Sequence, residues 1–269
     1  MATDEGTTNA IVTGGARGIG RQFALRLADR GVNVAIADID LEAFDEYDRE
    51  SEQVAAATVE EEIEDRGVRS LGVRTDVTDP DQVERMVDTV VEEFGSVDVA
   101  VANAGGGVGP IDDTFASEID PEHLHATVER NLYGTIYTCV AVAPYMKEQG
   151  GGRIVTVSSG SGREARANGS YAHYGAAKAG VIMYTKYLAQ DVGEDGIAAN
   201  VIAPGTIGTG RLMEAFERQG IDEVAARQAV GRVGTPEDCA SVLEFLALDA
   251  PDYLTGSVVP IDGGRVRCY

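Results

Sequence analysis

Near its start the chain carries a five-residue apolar-rich run, 9–13, ending at Thr13, then packs glycines at 14, 15, 18 and 20 into seven residues that lead into an amphipathic stretch: "NAIVTGG" (9–15), then "GIGRQFALRLADRG" (18–31). Few folds tolerate that order. The first run reads as a fully buried strand, the second as a helix, and the glycines as a turn too tight for side chains. A strand entering a helix through such a turn is the first half of a β-α-β unit, which commits the next extended segment to lie parallel to the first.

The rest of the chain keeps that commitment. "VNVAIAD" (32–38) reads as the second strand, "SLGVRTD" (70–76) as the third and "VDVAVANAG" (97–105) as the fourth. "GRIVTVSS" (152–159), "GIAANVIAP" (196–204) and "GSVVPID" (256–262) come next as the fifth to seventh. Helical stretches are expected at 54–67, 81–95 and 121–149, with Pro144 perturbing the last, then around Tyr174 and near 236–248. Nearly continuous apolar strands alternating with helices predict an α/β fold: a Rossmann-like, doubly wound parallel sheet flanked by helices. With no linker, repeat or low-complexity tract, residues 1–269 are read as a single domain. The acidic insert at 39–53 reads as a solvated surface excursion.

Charge narrows the partners. Asp and Glu number 45 against 22 Lys and Arg, a formal net charge of −23, and only Lys147, Lys178 and Lys186 are lysines. Nucleic-acid binding needs a positive surface, so it is excluded as a role. So acidic a chain with so little lysine resembles proteins of halophilic organisms, whose self-repulsion is screened where the Debye length falls to about 3 Å at 1 M salt. No apolar run reaches the ~18 residues of a membrane span. The polar, acidic "MATDEGTTNA" is expected to be neither a secretory signal nor a transit peptide. Cys139, Cys239 and Cys268 have neither disulfide-framework nor zinc spacing, so the expectation is a cytoplasmic protein without structural metal.

The glycine turn suggests a ligand. Backbone approaching closely at a helix N-terminus suits a pyrophosphate. Asp38 ends the second strand, where a carboxylate accepts the ribose hydroxyls of a dinucleotide's adenosine half and repels an extra phosphate there. This favours NAD over NADP, with Arg17 as the residue pointing the other way.

At this point a family resemblance becomes specific. "TGGARGIG" is similar to the TGxxxGxG motif of the short-chain dehydrogenase/reductase family, and "ANAG" (102–105) resembles its NNAG. "NVIAPGTIGT" (200–209) resembles its NxxxPGxxxT stretch and "GSVVPIDGG" (256–264) its C-terminal end, so the likeness spans the chain. It implies hydride transfer between a nicotinamide and a carbinol or carbonyl carbon. Implied cofactor contacts are Gly14, Arg17, Gly18, Ile19, Gly20, Asp38, Asp76, Val77, Asn103, Ala104, Gly105, Pro204, Gly205 and Thr209, together with Tyr174 and Lys178.

"SYAHYGAAKAG" (170–180) holds the chemistry. Tyr171 and Tyr174 both share a helix face with Lys178. A phenol needs a neighbouring positive charge to serve as a base near neutral pH. The resemblance selects the YxxxK pair Tyr174 and Lys178, whereas the Tyr-x6-Lys spacing of an enoyl reductase branch would select Tyr171. "VSSGSG" resembles the SSxxG pattern with Ser159 as the serine that holds the substrate oxygen. Ser159 stands fifteen positions before Tyr174, two more than is usual in the family, and Ser161 stands at the usual spacing. Asn131 matches the asparagine that holds a proton-relay water.

Residues 205–230 are expected to form a substrate lid. Arg163, Arg166 and Arg211, with Tyr171 and His173 as pocket walls, suggest a sugar, polyol or sugar acid. A 3-oxoacyl-type carbonyl reductase and a non-catalytic dinucleotide-binding regulator are the alternatives. The family commonly forms tetramers, so a homotetramer is implied, with "DGGRVRCY" at a subunit contact.

Overall fold

The inner strands are apolar at odd and even positions alike because both faces of the sheet are covered. In the computed structural model, which describes residues 7–111 and 114–264, β1 (Asn9–Thr13) sends Ala10 and Val12 to one core and Ile11 to the other. The first core packs α1 (Gly18–Ala28) against the later helix α10 (Pro236–Glu244). Between them in sequence lie β2 (Asn33–Asp38), α2 (Asp48–Ser51), α3 (Val59–Glu64), β3 (Ser70–Arg74) and α4 (Pro80–Phe94). Next come β4 (Val99–Ala102), α5 (Pro121–Val128), α6 (Gly134–Gln149), β5 (Gly152–Val157), α7 (Ala172–Val192) and β6 (Ile197–Pro204). Helices α8 (Gly210–Gln219) and α9 (Ile221–Ala225) precede α10, and β7 (Val258–Ile261) closes the sheet. The second core is built from α4, α6 and α7.

All seven strands are parallel in the order β3-β2-β1-β4-β5-β6-β7. The chain winds outward from β1 to β3, then crosses to β4 and winds the other way. The C-terminal ends of β1 and β4 therefore open a crevice at the switch point, where ligands of such sheets bind.

Three local expectations change. The helix expected over 121–149 is broken by a π-turn at Glu129–Tyr133, while Pro144 stays inside α6. The helix expected over 54–67 shortens to α3, capped by the Thr58 hydroxyl, which accepts from the Glu61 N–H. The acidic insert is packed rather than merely solvated: it forms a 3₁₀ turn and α2, and buries Phe44 and Glu50. Arg265, Arg267 and Tyr269, expected at a subunit contact, lie outside the described residues.

Candidate active site

The crevice is a cleft of about 1160 Å³ running along the C-terminal ends of β1, β2, β4, β5 and β6. At its start the glycine turn is a steric necessity. A Cβ on Gly20 would stand 1.9 Å from the Gly14 carbonyl oxygen, so helix α1 could not begin so close to the turn. Gly18 has φ +56, which a side chain would strain. Asn103 ties this turn to β4: its amide donates to the Thr13 and Gly14 carbonyls at 2.9 and 3.0 Å. The Thr13 hydroxyl accepts in return from the Asn103 and Ala104 N–H groups. Gly14, Arg17, Gly18, Ile19, Gly20, Asp38, Asp76, Val77, Asn103, Ala104 and Gly105 all line the cleft, as do Pro204, Gly205 and Thr209.

Asp38 stands at the end of β2 and accepts from the Ala16 N–H at 3.1 Å, which aims its carboxylate at the glycine turn. Burial raises its pKa, because the ion is partly withdrawn from water. The neighbouring insert lines the same end of the cleft with Asp40, Glu42, Asp45 and Glu46. Glu50 goes further. Its Oε1 accepts from the Gly210 N–H at 2.8 Å, at the start of α8, and Arg49 pairs with Glu217 of that helix at 2.9 Å. The insert thus ties α8 to the glycine turn, where Arg17 pairs with Glu46 at 3.0 Å, a role that composition alone conceals.

The central part of the cleft is built on α7. Ser158, buried behind the end of β5, donates to the Lys178 carbonyl at 2.8 Å and pins the helix to the strand. The Lys178 side chain is buried and donates from Nζ to the Val157 carbonyl at 2.8 Å. Loss of hydration lowers its pKa to about 8. Its Nζ lies 5.9 Å from the centre of the Tyr174 ring, one helical turn back. Ser159 and Ser161 both reach the cleft, and the Ser159 hydroxyl accepts from the Ser161 N–H at 3.2 Å.

Gly105 is where these parts converge: a Cβ there would sit 2.5 Å from Asn131 Oδ1 and 3.2 Å from Lys178 Nζ. Asn131 lies in the π-turn, fully buried, behind the cleft wall rather than on it. Its Oδ1 accepts from the Gly106 N–H, and its Nδ2 donates to the Gly106 and Thr127 carbonyls. Its side chain therefore shapes the loop after β4.

The expected substrate residues separate. Tyr171 lines the cleft, with its ring 4.8 Å from that of Tyr174 and nearly all of its surface buried. It holds φ +63 at the start of α7, a left-handed conformation that costs an aromatic residue of order 1–3 kcal/mol. Its hydroxyl lies against Gly107, where a Cβ would come within 1.8 Å. Arg166 also lines the cleft. His173 does not: it is buried with Nε2 2.9 Å from the Val108 carbonyl and packs edge-on to Tyr171, so it supports the wall instead of forming it. Arg163 pairs with Asp262 at 3.3 Å away from the cleft lining. The Arg211 side chain lies outside the described residues. Ile111, with Leu212 and Phe216 of α8 and Val224 of α9, adds an apolar lining to the cleft that the arginines had not suggested. Leu212 and Phe216, one turn apart on α8, were the available signal. Among the described residues no cluster of His, Cys, Asp or Glu is placed to hold a metal, and no helix is long and apolar enough to cross a membrane.

Known proteins resemble this chain over nearly its whole length. The family model described as "Enoyl-(Acyl carrier protein) reductase" matches residues 14–265. A cyclohexanol dehydrogenase of Rhodococcus sp. (strain TK6) is 50% identical over 255 residues, covering 95% of this chain and 94% of the relative. A cis-4-hydroxycyclohexanecarboxylate dehydrogenase of Sinomonas cyclohexanicum is 39% identical, with 95% of each chain covered. The solved structure of an NAD+-bound xylitol dehydrogenase superposes with a TM-score of 0.83 at 28% identity, covering 96% of this chain and 98% of that one. Other solved neighbours hold NADH or NADPH. With matches this extensive and a parallel sheet whose switch point carries Tyr174, Lys178 and the glycine turn, the chain belongs to the short-chain dehydrogenase/reductase family of oxidoreductases.

Proposed function

We propose that the protein oxidises an alicyclic secondary alcohol of the cyclohexanol type to its ketone with NAD, and reduces the ketone in reverse. The observation that carries this reading is the juxtaposition of Tyr174 and the buried Lys178 ammonium beneath an apolar lid surface. The cleft fits a dinucleotide: the Gly18–Gly20 turn leaves backbone room at the start of α1, and Asp38 stands where the adenosine ribose would end. When bound, the nicotinamide supplies the hydride acceptor or donor. Asp38 would receive the ribose hydroxyls, which is the basis for NAD over NADP.

The chain's own residues do the acid–base work. Tyr174 accepts the hydroxyl proton during oxidation and returns it during reduction. Lys178 places positive charge beside the phenol as it gives up its proton. Ser159, directly beyond the end of β5, holds the substrate oxygen, with Ser161 as its backbone donor. Asn131 acts as a positioning residue that fixes the Gly105–Gly107 loop. Tyr171, Leu212 and Phe216 offer a ring-shaped hydrocarbon its contacts.

Support for an alicyclic substrate comes from that apolar lining and from the two relatives named for ring alcohols. The sugar or sugar-acid expectation loses Arg163, which is held by Asp262. The enoyl-reductase spacing would need Tyr171 as the acid. That residue instead begins α7 in a left-handed conformation with its hydroxyl against Gly107. A homotetramer in the cytoplasm of a salt-adapted cell completes the proposal. NADH formation should be followed with cyclohexanol, xylitol and a sugar acid, each with NAD and NADP. Turnover of cyclohexanol with NAD well above the rest is the expected result, and preferred turnover of a polyol or use of NADP would overturn it.

A further inference from the structure

Arg17 sits in the glycine turn, beside the place Asp38 marks for the adenosine ribose, and a guanidinium there is chemically suited to a phosphate. Its surroundings give it other work. Nη2 pairs with Glu46 at 3.0 Å, Nη1 lies 3.9 Å from Glu50, and the guanidinium stands 5.1 Å over the Tyr47 ring. All three partners come from the acidic insert. The insert is itself anchored, through buried Phe44, through Glu50 on the Gly210 N–H, and through Arg49 on Glu217.

We propose that this insert is a second device of cofactor selection, with Glu46 as its specificity-determining residue. It holds Arg17 as a partner of its own carboxylates, so that the guanidinium cannot serve as counter-charge to a 2′-phosphate. The inference rests on the proposed use of NAD and extends it beyond Asp38. A 2′-phosphate brings close to two negative charges near neutral pH. It would meet a rim of Asp38, Asp40, Glu42, Asp45 and Glu46, with the Arg17 guanidinium beside it already paired. Removing Asp38 alone therefore clears space without freeing the cation. Removing Glu46 alone releases the guanidinium from its closest carboxylate, leaving the longer Glu50 contact, but keeps the Asp38 carboxylate that occupies the place. The two changes should act together.

The test measures NAD and NADP dissociation constants at one fixed ionic strength, without alcohol, so that substrate identity does not enter. The variants are Asp38→Ser, Glu46→Gln, the double variant, and the double variant with Arg17→Ala. The Glu46 side chain is 54% exposed, so its replacement should leave the fold intact, which the melting temperature would verify. Each single change should shift the NADP-to-NAD affinity ratio by about tenfold or less, and the double change should exceed the product of the singles by at least about fivefold. Arg17→Ala should abolish that excess.

Additive single effects, or an excess that survives Arg17→Ala, would overturn the inference while leaving the use of NAD in place. A wild-type protein that binds NADP more tightly than NAD would overturn both.

Discussion

Replacing Lys178 by Met should make the protein more stable at neutral pH while nearly abolishing its activity. The ammonium is buried, with the pKa lowered from 10.5 to about 8 by desolvation. About 2.5 units at 1.36 kcal/mol each place the penalty of keeping it charged near 3 kcal/mol, to order of magnitude. Against this, the Val157 carbonyl would lose its donor, at a cost of ~1 kcal/mol. Met has a similar length and suits an apolar site. The net expectation is a gain of ~2 kcal/mol at pH 7. Because the folded pKa lies below the unfolded value, the wild-type penalty is complete below pH 8 and fades as pH rises towards 10.5. Urea unfolding of both proteins at pH 7 and pH 10 should therefore show the variant's advantage shrinking at the higher pH. NADH formation at pH 7 should fall at least ~100-fold. A variant less stable at pH 7 by the same margin as at pH 10 would refute the reasoning, since the ammonium would then be a net structural support.

Two further outcomes test the substrate wall and the surface charge. Gly107→Ala would drive a methyl into the Tyr171 ring and hydroxyl. Overpacking of this kind costs about 1–3 kcal/mol. The change should raise KM for the alcohol with little effect on NAD affinity, as steady-state kinetics and dinucleotide titration would show. A melting temperature measured from low salt to ~2 M KCl should rise substantially as the net charge of −23 is screened, and an unchanged value would contradict salt adaptation.

The fold was legible because burial on both faces leaves its mark in the strands themselves. "NAIVT", "VAVA" and "IAANVIAP" carry apolar residues at both parities, and only a covered parallel sheet requires that. The glycine turn was legible for a related reason: at Gly20 no other residue fits. The hidden features depend on contacts between distant segments. Nothing in "DLEAFDEYDRESEQ" announces that Glu50 will accept from the start of a helix 160 residues later, or that Glu46 and Tyr47 will take Arg17. His173 was misplaced because helical spacing locates a face but not its cover; the loop carrying Val108 covers this one. Asn131 stands out in the sequence only through the family resemblance; its π-turn and its grip on Gly106 are tertiary facts. The wall residues Leu212 and Phe216 were legible as an amphipathic pair, yet the arginines drew the substrate expectation elsewhere.

The central claim is that Tyr174, and not Tyr171, exchanges the proton of a ring alcohol. The most direct measurement compares Tyr174→Phe with Tyr171→Phe for NADH formation from cyclohexanol, with NAD affinity measured alongside. Tyr174→Phe should retain NAD binding and lose at least ~100-fold in kcat, while Tyr171→Phe should keep most of its kcat. The reverse order of losses would contradict the account.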